Sequence, residues 1–306
     1  MMRAVLIALA VLASAPVAAQ ERSCAAVLGG PAKQFAAELH DAQGRPIPVS
    51  VFHPDKPGSY PLVVFSHGAF AAPERYAAML APLAGAGLII IAPTHVDSEV
   101  FGTANRPAHA VTWMMRNAEM ALALQPDAAL DGRLASLGLA ADRTRLVAMG
   151  HSYGALIAQL LGGATAIEPD GGRVDRRNAS VAAVVAWSPP GPLPGLMAKE
   201  GWHTLTAPAL TITGTADVLP GFIDDWNAHR ASFDAAPAGQ RMLWVGEGVD
   251  HYFGGMFGRL RQADAPAQAM FNRALVTALA FIHRRTGHAA PCDPGAVAEG
   301  EQRVAD

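Results

Sequence analysis

Residues 61–66 read Pro-Leu-Val-Val-Phe-Ser, and residues 88–92 and 145–149 repeat the theme of a short run dominated by branched and apolar side chains. Such runs fit strands buried on both faces of a parallel sheet, where no polar face interrupts the pattern. Further runs at 181–187, 209–213 and 242–245 predict three more strands. Between them, residues 73–84, 107–124, 155–161 and 267–284 read as helices, the first with Pro73 in its opening turn. Upstream, residues 33–41 and 46–53 read as two strands joined by Gln43-Gly44-Arg45, a turn signal that makes them a hairpin. Strands alternating with helices predict an α/β fold, a mostly parallel, doubly wound sheet with the antiparallel hairpin at one edge. No internal repeat and no linker divides the chain. One domain over residues 20–288 is expected, with residues 289–306, rich in Ala, Gly, Pro and charge, as a mobile C-terminal tail apart from Cys292.

The first residues do not belong to that pattern. Arg3 precedes an uninterrupted apolar stretch over residues 4–13, and Val17-Ala18-Ala19 supplies small residues for cleavage before Gln20. A signal peptide over residues 1–19 is expected, its apolar stretch too short to span a bilayer. No other run is long enough for a membrane span, and Glu21-Arg22-Ser23 before Cys24 is not a lipoprotein context. The expectation is an exported protein, periplasmic or secreted. Of 306 residues 51% are hydrophobic and 16% charged, with a formal net charge of −3 and no Lys/Arg run, which gives no electrostatic case for nucleic-acid binding. Export also changes the two cysteines. In an oxidising compartment Cys24 and Cys292 are expected to form one disulfide, which in the chain-entropy model stabilises by about 5 kcal/mol. Two free thiols on mobile tails remain the alternative.

Candidate chemistry centres on Gly150-His151-Ser152-Tyr153-Gly154. The pattern follows a predicted strand and opens a predicted helix, the setting of a nucleophile elbow. A serine there needs a base. Among His203, His229, His251, His283 and His288, His251 follows the last strand and so sits at the carboxyl edge beside the elbow. The acid is expected after the preceding strand, at Asp217, ahead of Asp224, Asp225 and Asp250. Ser152, Asp217 and His251 then take the roles of nucleophile, orienting acid and general base. The oxyanion donors are expected to be the backbone N–H groups of Tyr153 and Ala69, with Phe70 as runner-up to Ala69. Phe70 and Trp187 are candidate substrate-binding residues, with Phe101 and Phe253 beside them. His95 and Asp97 lie at the same edge, as substrate contacts or local caps. No metal-ligand set and no cofactor motif is read.

Those residues carry a resemblance. Pro61 to Gly68, Arg145 to Gly154, Gly214 to Asp217 and Asp250-His251 resemble the α/β-hydrolase superfamily, over about residues 33–284. Tyr60 to Gly68, Gly87 to His95 and Asn105-Arg106-Pro107 are similar to the branch that holds predicted dienelactone hydrolases, platelet-activating-factor acetylhydrolase relatives, chlorophyllases and cutinase-like polyester hydrolases. The resemblance implies the α/β-hydrolase fold and a serine hydrolase acting on carboxylic esters, small or polymeric, without a cofactor. Two residues depart from it: Ser152 stands where dienelactone hydrolases carry cysteine, and Ala69 where the polyester hydrolases usually carry an aromatic. The short stretch between Trp187 and Pro208 implies no large lid domain. An amidase or peptidase with the same triad, and a catalytically silent binding protein, are the alternatives.

Overall fold

The structure, a computed structural model, describes residues 24–103, 106–258 and 264–305. The expected signal peptide over residues 1–19 lies outside the described residues. The chain opens with α1 (Cys24–Leu28) and three strands, β1 (Ala32–His40), β2 (Pro46–Pro54) and β3 (Gly58–Ser66). A 3-10 turn (Pro73–Tyr76) leads into α2 (Ala77–Gly85), then β4 (Ile89–Pro93), α3 (His109–Leu124), α4 (Ala128–Ser136), β5 (Leu139–His151) and α5 (Tyr153–Leu161). A small hairpin of β6 (Thr165–Ile167) and β7 (Arg173–Asp175) precedes β8 (Val181–Trp187) and β9 (Ala209–Ala216). A 3-10 turn (Trp226–Arg230), α6 (Ala231–Ala235), β10 (Arg241–Asp250), α7 (Ala265–Thr286) and β11 (Glu301–Ala305) complete it.

The main sheet runs β1-β2-β4-β3-β5-β8-β9-β10-β11. From β4 to β10 neighbouring strands are parallel; β1, β2 and β11 are antiparallel additions at the two edges. This is the mostly parallel, doubly wound sheet with an N-terminal hairpin that the apolar runs predict. Alternate residues of the central strands feed two cores. Val63, Phe65, Val147, Met149 and Val185 pack with α2 and α7, whereas Leu62, Val64, Leu146, Ala148 and Val184 pack with α3 and α5. Burial on both faces is why these strands read as unbroken apolar runs. After β3 the chain crosses to β4 on one side, and later to β5 on the other. The carboxyl ends of β3 and β5 therefore flank the switch point where an open α/β sheet leaves a crevice.

Cys24 and Cys292 form a disulfide, with Cα atoms 5.2 Å apart across 268 residues of chain. It ties α1 to the segment after α7. That segment differs from the tail expected over residues 289–306: Glu301–Ala305 adds β11 to the sheet edge against β10. The reason is a buried carboxylate. Glu301 Oε1 accepts from Trp244 Nε1 at 2.6 Å and Oε2 accepts from Arg273 Nε at 2.6 Å. Two further differences are local. The expected helix over 73–84 divides into a 3-10 turn and α2, and β5 begins at Leu139, well before residue 145. Among the described residues no helix is long and apolar enough to cross a membrane.

Candidate active site

Ser152 stands alone between the end of β5 and the start of α5, with φ 53° and ψ −123°. A side-chain-bearing residue at positive φ is strained by about 1–3 kcal/mol and persists where the surroundings over-determine it. The surroundings here are two glycines. A Cβ on Gly150 would lie 2.2 Å from the Gly154 carbonyl oxygen, and a Cβ on Gly154 would lie 2.1 Å from that of Ser66. Both positions exclude any other residue, so the elbow closes tightly against β3. The Ser152 N–H donates to the Trp187 carbonyl at 2.9 Å, fixing the turn to β8 as well.

His251, directly after β10, brings Nε2 to 3.0 Å from Ser152 Oγ. Its Nδ1 lies 2.7 Å from Asp217 Oδ1, and Asp217 follows β9. The Thr213 hydroxyl donates to Asp217 Oδ2 at 2.7 Å. Three side chains that the sequence spaces over a hundred residues thus form one hydrogen-bonded line across the sheet edge. Burial would raise the Asp217 carboxyl, but the two imidazoles beside it, His229 and His251, outweigh it and hold the group well below the usual carboxylate range. The competing acids are occupied elsewhere. Asp250 Oδ1 accepts from Tyr252 N–H and Gly254 N–H, Asp224 accepts from Gly221 N–H, and Asp225 caps the turn at Asn227. Of the competing histidines, His283 is buried in α7 and His288 reaches toward Asp142, while His203 closes a distant 3-10 turn.

His229 is the residue that sequence reasoning set aside. It is fully buried in the Trp226–Arg230 turn, and its Nε2 lies 2.9 Å from Asp217 Oδ1, the oxygen that also meets His251. The contact is close but not aligned as a hydrogen bond. Asp217, His229 and His251 bring ligand-type atoms within 4.8 Å of one another, yet His229 Nε2 and His251 Nδ1 both lie against the one carboxylate oxygen, so the cluster reads as a polar network around Asp217.

The loop after β3 supplies the other half of the site. Among the described residues the Ala69 N–H meets no acceptor, whereas the Phe70 N–H is directed at Asp97 Oδ2, 3.4 Å away. This separates the two candidates for the first oxyanion donor. The loop is held from beneath by Arg116 of α3, which is wholly buried. Its guanidinium donates to both Asp97 oxygens at 2.7 and 2.9 Å, and to the carbonyls of His67 and Gly68 at 2.6 and 3.1 Å. Burial would raise Asp97, but the Arg116 charge and hydrogen bonds hold it below its ordinary value. His95 and Asp97 are thus structural supports below the loop, away from the cleft. His95 lies between Ser66 Oγ and Glu119, each 2.8 Å away.

A hydrogen-bond chain joins the two halves, and every donor in it is determined. The Gly68 N–H donates to Tyr76 Oη at 2.9 Å, so the phenol is left to donate to His151 Nδ1 at 2.9 Å. His151 Nε2 then donates to the His251 carbonyl at 2.9 Å. Burial, foremost, pushes His151 well below its usual value, and the neutral ring suits its one-donor, one-acceptor role. In the sequence His151 is only the unspecified residue of the elbow, and Tyr76 lies in a helix with no motif.

The cleft above Ser152 has a volume of about 630 Å³ and is lined by Ala69, Phe70, Tyr153, Leu193, Phe222 and Phe257 among others. Phe70 and Phe222 are exposed on its rim. Trp187 does not line it, which corrects the expectation for that residue. Its indole is fully buried and packs edge-on against Phe253 and Phe257, because Ala183, Val185 and Trp187 share the strand face turned to α7. Phe253 is in the same core, and Phe101 lies outside the lining. The stretch from β8 to β9 holds a single 3-10 turn, Lys199–Thr204, and no lid domain among the described residues. A larger recess of about 810 Å³ beside the disulfide, lined by Lys56, Tyr60 and Arg284, contains none of the candidate catalytic, oxyanion or substrate-binding residues.

The comparisons with known proteins agree with this architecture. The chlorophyllase family model matches residues 30–167, a span that includes Ala69 and Ser152 and ends before Asp217 and His251. A crystal structure of a candidate dienelactone hydrolase from Klebsiella pneumoniae subsp. pneumoniae superposes with a TM-score of 0.50 at 22% identity, covering 79% of this chain and 97% of that one. At that identity the likeness concerns the fold. No curated protein matches the chain. Over residues 30–167 the chain matches the chlorophyllase family model, and its fold is similar to that of the candidate dienelactone hydrolase.

Proposed function

We propose that the protein is an exported serine hydrolase of carboxylic esters, working through Ser152, His251 and Asp217. The observation that carries the reading is the line Ser152 Oγ–His251 Nε2 (3.0 Å) and His251 Nδ1–Asp217 Oδ1 (2.7 Å), opening onto a cleft beside the Ala69 N–H, which meets no acceptor among the described residues. In the proposed reaction His251 takes the Ser152 proton as Oγ attacks the ester carbonyl. The oxygen, now negative, is received by the N–H groups of Ala69 and Tyr153, with the positive end of α5 behind the second. His251 returns the proton to the leaving alkoxide, which departs as alcohol. Water, deprotonated by the same imidazole, then releases the acid and regenerates Ser152. The chemistry calls for no cofactor. The Cys24–Cys292 bond favours an oxidising compartment, consistent with a periplasmic or secreted site.

A fluorophosphonate probe is expected to label Ser152 covalently, and an ester to be cleaved far faster than the amide of matched structure. Absence of labelling would favour a silent binding protein, and equal ester and amide rates an amidase. The Tyr76 hydroxyl gives a second test. Tyr76→Phe removes the link between Gly68 and His151 and is expected to lower kcat about tenfold, the scale of one buried hydrogen bond, with less effect on KM. Steady-state kinetics on a soluble aryl ester measure both; an unchanged kcat would show that the chain does not hold the loop in register.

A further inference from the structure

We propose that Arg116 is the positioning residue of the oxyanion site: by holding the Gly68 carbonyl, it aims the Ala69 N–H at the reacting oxygen and strengthens it as a donor, a role that rests on the reading of Ala69 as an oxyanion donor. In a planar trans peptide the C=O and the N–H of the next residue point in opposite directions, so whatever fixes the oxygen fixes the hydrogen. The Gly68 carbonyl and the Ala69 N–H are the two ends of one such unit. The oxygen accepts from Arg116 Nη2 at 3.1 Å and from the Ala71 N–H at 3.2 Å. It also accepts from His67 Nδ1 at 2.8 Å. That ring is neutral, pushed well below its usual value by burial and then by the Arg116 charge. Its Nε2 accepts from the His95 N–H at 3.0 Å, which leaves the ring proton on Nδ1. At the opposite end the Ala69 N–H meets no acceptor among the described residues, and Ala69 lines the cleft above Ser152.

The same guanidinium pins the peptide units on either side. Nη1 donates to the His67 carbonyl at 2.6 Å, and the other end of that unit, the Gly68 N–H, donates to Tyr76 Oη at 2.9 Å. The Phe70 N–H is directed at Asp97 Oδ2, and Asp97 is gripped by Arg116 Nε and Nη2. The N–H groups before and after Ala69 are thus engaged within the protein, and the one between them is left for the cleft. Arg116 also lies 4.9 Å from the centre of the ring of Tyr153, the residue whose backbone N–H is the second expected donor. One side chain therefore touches both segments that supply the oxyanion site, the loop after β3 and the start of α5.

The chemistry of the guanidinium suits this place. Asp97 offsets the cost of burying its charge. A cation at the carbonyl oxygen draws electron density out of the amide, which makes the Ala69 N–H a stronger donor than an ordinary backbone amide. The rigid fork reaches two carbonyls and a carboxylate together, whereas a lysine ammonium brings its donors to one point.

Arg116→Lys keeps the charge opposite Asp97 and loses the fork. On a soluble aryl ester kcat is expected to fall about 100-fold, the scale of one lost oxyanion donor, with KM within about threefold. The matching thionoester gives a readout that a merely structural role does not move. Its sulfur accepts hydrogen bonds weakly, so the oxyanion donors aid that substrate little. The ester-to-thionoester ratio of kcat is therefore expected to drop by about tenfold or more in the variant. Equal losses on both substrates would mean that the triad itself has moved and would overturn the proposal, as would an unchanged ester rate. A second measurement needs only the wild type. With a boronic acid bound to Ser152, the Ala69 amide proton is expected to move downfield in the NMR spectrum. The Arg116 guanidinium protons should follow, because loading one end of a peptide strengthens the hydrogen bonds at the other. An unmoved Ala69 proton overturns the oxyanion reading, and the proposal falls with it. A shifted Ala69 proton beside unmoved Arg116 protons overturns the proposal alone, even if the variant does not fold.

Discussion

Replacing Ser152 by alanine is expected to lower kcat on a short-chain aryl ester by about four to six orders of magnitude. The loss follows from the proposed chemistry, since Oγ is the atom that bonds to the acyl carbon and no neighbouring group lies in its place. The Ala69 and Tyr153 N–H groups remain in Ser152→Ala, so a residual rate above that in water is expected from oxyanion stabilisation. The fold should be nearly untouched. The contact to β8 is made by the backbone N–H of residue 152, which alanine keeps, and the positive φ is imposed by Gly150 and Gly154 closing on β3. Alanine carries the same Cβ as serine, so the strain at this position neither grows nor disappears. Thermal unfolding of the variant is expected to match the wild type within about 1 kcal/mol, as for substitutions that leave packing and backbone bonds intact. Turnover within tenfold of the wild type would refute Ser152 as nucleophile.

The features that were legible in the sequence are those that repeat with the backbone. The strands β3, β4, β5 and β8 announce themselves because both of their faces are buried, and the chain order Ser152, Asp217, His251 follows from which strands end at the same edge. Side-chain direction is read less directly. Trp187 ends a strand at the catalytic edge, yet the two-residue period that sets Ala183 and Val185 against α7 sets Trp187 there too. That signal was present and outweighed by position along the strand. β11 had no such signal, because Glu301-Gln302-Arg303 shows no apolar alternation. It pairs because its one inward carboxylate meets Arg273 and Trp244, partners far away in sequence. Arg116 and His229 were hidden for the same reason. An arginine in a helix reads as solvated, and a histidine after Asp217 reads as surface. Only the tertiary fold shows that the first lies under the loop after β3 and the second behind Asp217.

The environment of Asp217 sets the second large effect. Asp217→Asn is nearly isosteric, so the packing around position 217 should survive, but kcat is expected to fall by about four orders of magnitude. An asparagine offers one oxygen and one NH₂ where the carboxylate offers two acceptors. The Thr213 hydroxyl donates to Oδ2 in the native site and would claim the amide oxygen. The NH₂ then turns to the side occupied by His229 and His251. His229, with Nδ1–H fixed on the Pro189 carbonyl, brings Nε2 to that side as an acceptor for the NH₂. His251 Nδ1 faces the same donor and must become an acceptor, which moves its proton to Nε2, the nitrogen that should take the proton of Ser152. Two neighbours thus drive the asparagine into the orientation that disables the base. The tautomer change is visible by ¹⁵N shifts of His251, and kcat should recover only partly at high pH, because deprotonating Ser152 without the imidazole remains unfavourable. A folded Asp217→Asn variant with a nearly native rate would show that the carboxylate neither orients nor stabilises His251.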